Sequence, residues 1–293
     1  MGIMFILDLG VFNRKSHEIS FKEAAALTTV WVTLAIAFNI GVHYEMGREK
    51  ALEFLAGYLI EQSLSVDNLF VFIIIFSYFH ISKIHQPKIL KWGIIGALAL
   101  RAVFIVAGIG LIDRFSWTIY LFGGILVVTG IKMGFGKEEE LKPEKNLAVR
   151  IIRRFMPITK RIRSDKFFVR RSRITAATPL FLALVVIESS DVIFAIDSIP
   201  AVLSVTRDPL IVYTSNAFAI MGLRSMYYLL ANVMGMFAYL KLGVSFILAF
   251  VGVKMLLTHT PFRIPIHFSL GVIFGVLMIS VIVSIIANKK KAL

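Results

Sequence analysis

Long uninterrupted apolar runs constrain this chain more than any other feature of its sequence. A bilayer crossing takes about 20 apolar residues in a helix, and eight segments approach or exceed that length. Hydrophobic residues make up 58% of the chain and charged residues 17%, against about 45–50% and about 25% in soluble domains. The sequence therefore predicts an all-α polytopic membrane protein and argues against a soluble enzyme. The predicted spans are 24–42, 51–79, 92–112, 117–134, 176–204, 210–236, 242–257 and 268–287.

The first 12 residues form a further apolar stretch that is too short to cross a bilayer alone. It has no basic start and no small-residue cleavage site, so it does not have the features of a signal peptide. We interpret it as a shortened first helix, which gives a prediction of eight to nine transmembrane helices.

The distribution of basic residues predicts the orientation of the spans. The long polar stretch 135–175 holds 13 Lys and Arg residues. If it lies in the cytoplasm and the spans alternate, 23 basic residues fall on the inside and 5 on the outside, as the positive-inside rule requires. This predicts a multi-pass protein of the cell membrane, the inner membrane in a bacterium, with a cytoplasmic C-terminus. It also explains the net charge of +14 without a nucleic-acid partner.

Two parts of the chain resemble each other and predict an internal repeat. Glu61 is followed six residues later by Asp67, and Asp191 is followed six residues later by Asp197. Further on, 97–101 resembles 220–224 and 125–133 resembles 247–255, in the same order. Each unit holds three spans, an odd number, so the second unit must enter the membrane from the opposite side. Such inverted repeats are typical of transporters with a site near the midplane.

This repeat divides the chain into five regions. They are the N-terminal helices 1–50, the first three-helix repeat 51–134, the basic cytoplasmic loop 135–175, the inverted second repeat 176–257, and the C-terminal helix and tail 258–293.

Five carboxylates lie within the predicted spans and are the strongest functional signal. An ionised residue at the centre of a span costs roughly 2.5–3.5 kcal/mol unless it is paired or hydrated. Two arginines in spans, Arg101 and Arg224, are predicted to balance part of this charge, but they leave three acids in excess. Cations or protons must therefore neutralise the remainder. The acids are Glu61, Asp67, Glu188, Asp191 and Asp197.

Helical geometry limits which of these acids can meet at one ion. Glu188 and Asp191 share a face of the helix. Residues six apart, such as Asp191 and Asp197, are separated by a rotation of about 240° round the helix axis and lie on different faces. Either the acids form two layers along a pathway, or the helices are interrupted. Pro200 favours an interruption because it cannot donate to the Ile196 carbonyl, and a freed carbonyl is a good cation ligand. Neutral oxygens are predicted to support the site from Ser65, Asn68, Ser198 and Asn216.

The types of ligand available indicate which metals would fit. The chain has no cysteine, and its six histidines fall at loop positions. Carboxylate, hydroxyl and carbonyl oxygens suit Mg²⁺, Ca²⁺ and Mn²⁺ better than Zn²⁺ or Cu²⁺. Spacing alone does not rank these three ions.

The cytoplasmic loop contains a short amphipathic pattern at 147–156. Leu147, Ile151 and Phe155 recur at helical spacing with arginines between them, which predicts a basic helix ending near Pro157. Two interpretations remain open, contact with anionic lipid at the inner leaflet or a solvated linker.

Five motifs are distributed along the chain, namely 7–12 (LDLGVF), 61–70 (EQSLSVDNLF), 177–180 (ATPL), 188–200 (ESSDVIFAIDSIP) and 214–224 (TSNAFAIMGLR). They resemble motifs of the TerC family of bacterial and plastid membrane proteins, in particular its Alx-like branch. The resemblance runs over nearly the whole chain, and the two acidic motifs are its most specific part. It implies inverted three-helix repeats of the LysE-type transporter superfamily, a role in Mn²⁺ export and an association with tellurite resistance. It also implies a metal site of Glu61, Asp67, Asp191 and Asp197, with Glu188 and Asn68 beside them.

The first functional hypothesis is therefore a divalent cation exporter with no enzymatic activity and no tightly bound cofactor. Mn²⁺ or another hard divalent cation is its expected substrate, exchanged for H⁺ or Na⁺. The alternative is a membrane scaffold or assembly factor linked to stress response, with a structural or sensing metal site. A cation channel is a third hypothesis. The oligomeric state is left open.

Overall fold

The computed structural model describes residues 20–135, 146–159, 165–171, 174–231 and 240–291, without the side chains of Asp67 and of residues 171, 174 and 288–291. These residues form nine helices and one β hairpin. The helices are α1 (Phe21–Met46), α2 (Arg48–Tyr78), α3 (Gln86–Arg114), α4 (Thr118–Phe135), α5 (Leu147–Phe155), α6 (Pro179–Leu203), α7 (Pro209–Ala231), α8 (Leu240–Leu256) and α9 (Ile266–Lys291). The hairpin pairs β1 (Phe168–Arg171) with β2 (Ile174–Ala177) in antiparallel register.

Each of the eight predicted apolar segments coincides with a helix. Six helices are long and apolar enough to cross a membrane, namely α1, α2, α3, α4, α6 and α9. Helix α8 has 17 residues, so it is about 26 Å long, slightly less than the ~30 Å hydrocarbon core. The structure thus confirms a mostly helical protein with several candidate spans, and the full count of eight stays a prediction. The predicted helix within 1–12 lies outside the described residues.

Polar side chains mark where several helices begin. Ser20 accepts a hydrogen bond from the Glu23 amide at the start of α1. Asp208 accepts from the amides of Leu210 and Ile211 in the first turn of α7. Such caps satisfy amides that have no partner within the helix.

Helix α6 runs without interruption through Pro200, so the predicted helix break is wrong. Pro200 lies within the last turn, three residues before Leu203. Only the hydrogen bond to the Ile196 carbonyl is lost there, and the chain is about to turn. A proline near a helix end therefore disturbs less of the helix than one in its middle.

The helices of the two predicted repeat units pack against each other across the units. Helix α2 of the first unit contacts α7 of the second, and α3 of the first contacts α6 of the second. The first helix of each unit therefore packs on the second helix of the other. The third helices, α4 and α8, pack directly on each other. The core therefore lies between the two units.

Two glycines define the contact between α4 and α8. A Cβ on Gly130 would meet the Ser245 oxygen and the Ala249 nitrogen, both at 2.7 Å. A Cβ on Gly252 would meet the Gly123 oxygen and the Val127 nitrogen, both at 2.8 Å. Gly252 is the repeat equivalent of Gly130, and the backbone atoms that each would meet are also repeat equivalents. Since low residue numbers on α4 face high numbers on α8, the two helices run antiparallel.

The loop 135–175 departs from the all-α prediction, because it contains the β1–β2 hairpin. Val169 and Thr175 are β-branched residues, which favour extended backbone. Backbone hydrogen bonds also join the segment after α5 to the end of β2. The Ala177 amide donates to the Pro157 oxygen and the Thr159 amide donates to the Ala177 oxygen, both at 2.9 Å.

Candidate metal site

Arg101 on α3 is the centre of a buried polar network. Its guanidinium forms an ion pair with Glu61 on α2. It also donates to Ser198 Oγ on α6 at 3.1 Å and to Asn216 Oδ1 on α7 at 2.7 Å. All four residues are at most 2% exposed. The network joins helices of both repeat units at the level where α2, α3, α6 and α7 meet.

Glu61 keeps one oxygen that the network does not use. Its Oε1 faces Arg101 and accepts a hydrogen bond from Ser65 Oγ at 3.5 Å. Its Oε2 is buried and has no hydrogen-bond partner among the described residues. A buried acceptor without a partner costs about 1–3 kcal/mol, and more when it is charged. This oxygen is therefore a candidate ligand for a cation.

A small cavity of about 20 Å³ adjoins the network. Its polar lining comes from Asn68, Arg101, Asp191 and Arg224, and its remaining lining residues are apolar apart from a glycine. The space is close to that of one water-sized sphere. Asn68 Oδ1 is buried and has no partner within the described part of the chain. Asp191 is 7% exposed and interacts electrostatically with Arg101 and Glu61.

Glu188 lies one helical turn before Asp191 and interacts with it electrostatically. Its carboxyl group occupies the space beside Gly96 on α3, where a Cβ would overlap all three carboxyl atoms. The absence of a side chain at position 96 is thus what admits Glu188 between α3 and α6. The sequence reasoning did not single out Gly96, because a lone glycine in a span carries no signal of its own.

Asp197 does not join this network. Its Oδ1 accepts a hydrogen bond from Thr129 Oγ1 on α4 at 3.0 Å. Asp197 and Asp191 lie on different faces of α6, as their spacing of six residues predicts. Asp197 is nevertheless next to Ser198 of the network, so it is separated from the network by the face it occupies and not by its position along α6. Thr129 was not predicted as a site residue, although it lies in the repeated 125–133 motif.

The predicted metal-site residues therefore do not form one cluster in the described part of the protein. No group of three or more His, Cys, Asp or Glu side chains that could hold a metal is present among the described residues. Glu61, Asn68, Glu188 and Asp191 lie around the Arg101 network and the adjoining cavity, and Asp197 lies beside α4. The side chain of Asp67 is outside this description.

A second polar region, which sequence reasoning missed, lies at the end of the helix bundle predicted to face outward. Glu53 accepts hydrogen bonds from Thr206 Oγ1 at 2.6 Å and Lys50 Nζ at 2.8 Å, and Lys50 also pairs with Asp208 at 3.4 Å. Glu53 lines a cavity of about 430 Å³ together with Lys254.

The protein is a bundle of helices with several apolar candidate spans, and charged groups are buried between them. These features define a polytopic membrane protein. The chain belongs to the TerC family, because the family model described as "Integral membrane protein TerC family" matches residues 46–292.

Full-length relatives agree with this assignment. "Uncharacterized membrane protein STKORF319" of Myxococcus xanthus is 48% identical over 98% of this chain and 89% of its own length. "Putative membrane-bound redox modulator Alx" of Salmonella typhi is 45% identical over 99% of this chain and 92% of its own. The protein of the same name in Escherichia coli K12 is 45% identical over 98% and 92%. No solved structure matches the chain.

Proposed function

We propose that this protein exports a divalent metal cation, with Mn²⁺ as the first candidate substrate. The observation that carries the proposal is the buried Glu61 Oε2, which has no hydrogen-bond partner among the described residues and belongs to a network shared by both repeat units. Asp191 and Asn68 offer further oxygens at the adjoining cavity. Oxygen ligands of this kind suit hard divalent cations.

Alternating access between two inverted repeats is the mechanism that we propose. Repeat-equivalent helices run antiparallel when they are related by a two-fold axis perpendicular to them, which for spanning helices lies in the membrane plane. The antiparallel packing of α4 on α8 through Gly130 and Gly252 supports such an axis. Rocking of one unit against the other would then expose the Arg101 network to each side in turn. The proposed location is the cell membrane, with the C-terminus and the 135–175 loop in the cytoplasm.

The membrane potential predicts that export is coupled to another ion. Moving one charge against 100 mV costs about 2.3 kcal/mol, so a divalent cation costs about 4.6 kcal/mol before any concentration gradient. The sequence has no phosphate-binding GxxxxGK[ST] motif for ATP. Exchange for H⁺ or Na⁺ supplies the energy most simply, since metal binding displaces protons from carboxylates.

The test is Mn²⁺ flux into proteoliposomes that contain the purified protein under an imposed pH or Na⁺ gradient. Asp191→Asn preserves shape while it removes the cavity carboxylate, and it should abolish gradient-driven flux. The matched control, Asp113→Asn, neutralises an exposed carboxylate at the end of α3 and should transport normally. Equal flux with both variants would reject the site, and flux without counter-ion movement would reject antiport.

The second candidate is a scaffold or stress-response protein. Relatives named "Putative membrane-bound redox modulator Alx" favour a role other than metal transport. Because this chain has no cysteine, a redox role of its own would not use thiol chemistry. Deleting 138–145, which keeps α5 intact, distinguishes the candidates. A scaffold that docks through this loop should lose its stress phenotype, and a transporter should keep Mn²⁺ flux.

A further inference from the structure

Helix α5 presents two different surfaces outside the spanning bundle. Val149 is fully buried, in a hydrophobic cluster that includes Leu180 and Ala183 of α6, and Ile152 packs against the same cluster. This side of α5 fixes the helix to the protein. A solvated linker would not bury such residues, so α5 is a docked element of the fold.

Another side of α5 carries an exposed apolar stripe. Leu147, Ile151 and Phe155 are 67%, 47% and 81% exposed. They follow each other at intervals of four residues, so they share one face of the helix. An exposed apolar stripe of this kind needs an apolar environment to cover it.

A basic stripe runs directly beside the apolar one. Arg150 and Arg154 precede Ile151 and Phe155 by one residue each, and both arginines are exposed. Arg153 extends the basic surface further round the helix and is also exposed. An apolar stripe beside a row of arginines is the pattern of a helix that lies in the headgroup region of a bilayer.

The position of α5 in the fold suits this environment. Pro157 and Thr159, just after α5, form backbone hydrogen bonds with Ala177, two residues before α6 begins. Helix α6 has 25 residues and is about 37 Å long, more than the ~30 Å hydrocarbon core. The beginning of α6 therefore reaches the headgroups, and α5 is held at that level.

We propose that α5 is an interfacial helix that binds the acidic phospholipids of the leaflet around the protein. Leu147, Ile151 and Phe155 insert at the boundary between headgroups and acyl chains, and Arg150 and Arg154, which border the apolar stripe, pair with lipid phosphates. Charge complementarity selects anionic over zwitterionic lipid. This inference does not depend on metal transport and holds for a scaffold equally.

The absence of cysteine allows a direct test on the full-length protein. A single cysteine at Leu147→Cys or Phe155→Cys, labelled with an environment-sensitive fluorophore, is compared with Arg153→Cys on another side of α5. The proteins are reconstituted in phosphatidylcholine vesicles with or without phosphatidylglycerol, and some lipids carry a headgroup-level quencher. Labels at 147 and 155 should emit as in an apolar medium and be quenched, more strongly with phosphatidylglycerol, and the label at 153 should stay water-exposed.

A charge variant completes the test. Arg150→Gln with Arg154→Gln, combined with the label at 155, should weaken the preference for phosphatidylglycerol by about fivefold per arginine. Lys22→Gln with Lys83→Gln removes the same charge from other exposed sites and should leave the preference unchanged. Water-like emission from both labels in both vesicles overturns the proposal. Quenching that ignores phosphatidylglycerol or the two arginines overturns the assignment to acidic lipid.

Discussion

Asp197 and Ser198 are consecutive residues on α6 that bond to different helices. Ser198 Oγ accepts a hydrogen bond from Arg101 on α3, and Asp197 Oδ1 accepts one from Thr129 on α4. Successive residues of an α-helix point about 100° apart, so one helix serves two separate polar regions. The Arg101 network and the pair of Asp197 with Thr129 are therefore distinct polar regions on two faces of α6, at nearly the same level of the bundle.

The separation of these two polar regions predicts the effect of substitutions at Thr129. Thr129→Val removes the hydrogen bond to Asp197, which is worth about 1.5–3 kcal/mol for a charged acceptor. Under the proposed function it should slow Mn²⁺ flux and leave equilibrium Mn²⁺ affinity, measured by calorimetry, unchanged. Thr129→Ser keeps the hydroxyl and should behave like the original protein. A large loss of Mn²⁺ affinity in Thr129→Val would show that Asp197 takes part in the same metal site as Glu61.

Arg101 is expected to be essential for stability because it neutralises Glu61. Arg101→Gln should lower the free energy of unfolding by about 3–5 kcal/mol, since it leaves a buried carboxylate unpaired. The double variant Arg101→Gln/Glu61→Gln should recover much of this loss, because neither member of the pair then carries a charge. Reversible unfolding in mixed detergent micelles measures the cycle. Arg114→Gln, at an exposed position on the same helix, is the control, and additivity of the two buried changes would refute the pairing.

Gly96 is predicted to control the position of Glu188. Gly96→Ala places a methyl group where the Glu188 carboxyl lies. Because that carboxyl ends a flexible side chain, it should swing aside at a cost of about 0.5–1.5 kcal/mol. Glu188→Ala in the same chain should restore stability because it vacates that space. Gly110→Ala is a control on α3, since a Cβ there meets nothing within 4 Å. If both glycine variants have the same unfolding free energy, Glu188 lies elsewhere.

The repeat symmetry predicts matched effects at Gly130 and Gly252. Each alanine would press on the backbone of the facing helix, and overpacking of this kind costs about 1–3 kcal/mol. Gly130→Ala and Gly252→Ala should therefore lose similar stability, measured by unfolding in mixed micelles. Gly124→Ala on α4 faces open space and should be neutral or slightly stabilising. A neutral effect at only one of the two sites would argue against equivalent contacts.

The predicted orientation is open to a labelling experiment. Lys83→Cys lies between α2 and α3, and Arg207→Cys lies between α6 and α7, both exposed. These loops are repeat equivalents, so an inverted repeat places them on opposite sides of the membrane. A membrane-impermeant thiol reagent added to intact cells should label the cysteine at 207 and not the one at 83. Labelling of both, or of neither until the cells are opened, would contradict inversion.

The spans could be recognised from the sequence because the signal is local. A run of apolar residues such as 268–287 must form a helix wherever lipid surrounds it, since every backbone amide and carbonyl needs a partner within the segment. The amphipathic pattern around Ile151 is local in the same way, and a helix lies there. The interruption at Pro200 was wrongly predicted, because its consequence depends on how near the helix end lies.

The sequence by itself determined the family, the membrane-spanning character and the presence of acids within apolar segments, because long apolar runs and rare charges inside them leave few alternatives. Only the tertiary structure decided which side chains meet. Spacing relates residues of one helix, whereas Arg101 with Ser198, Thr129 with Asp197, and Gly96 with Glu188 join helices far apart in the chain. Such contacts depend on how the helices rotate and cross, and packing of the whole bundle sets those angles.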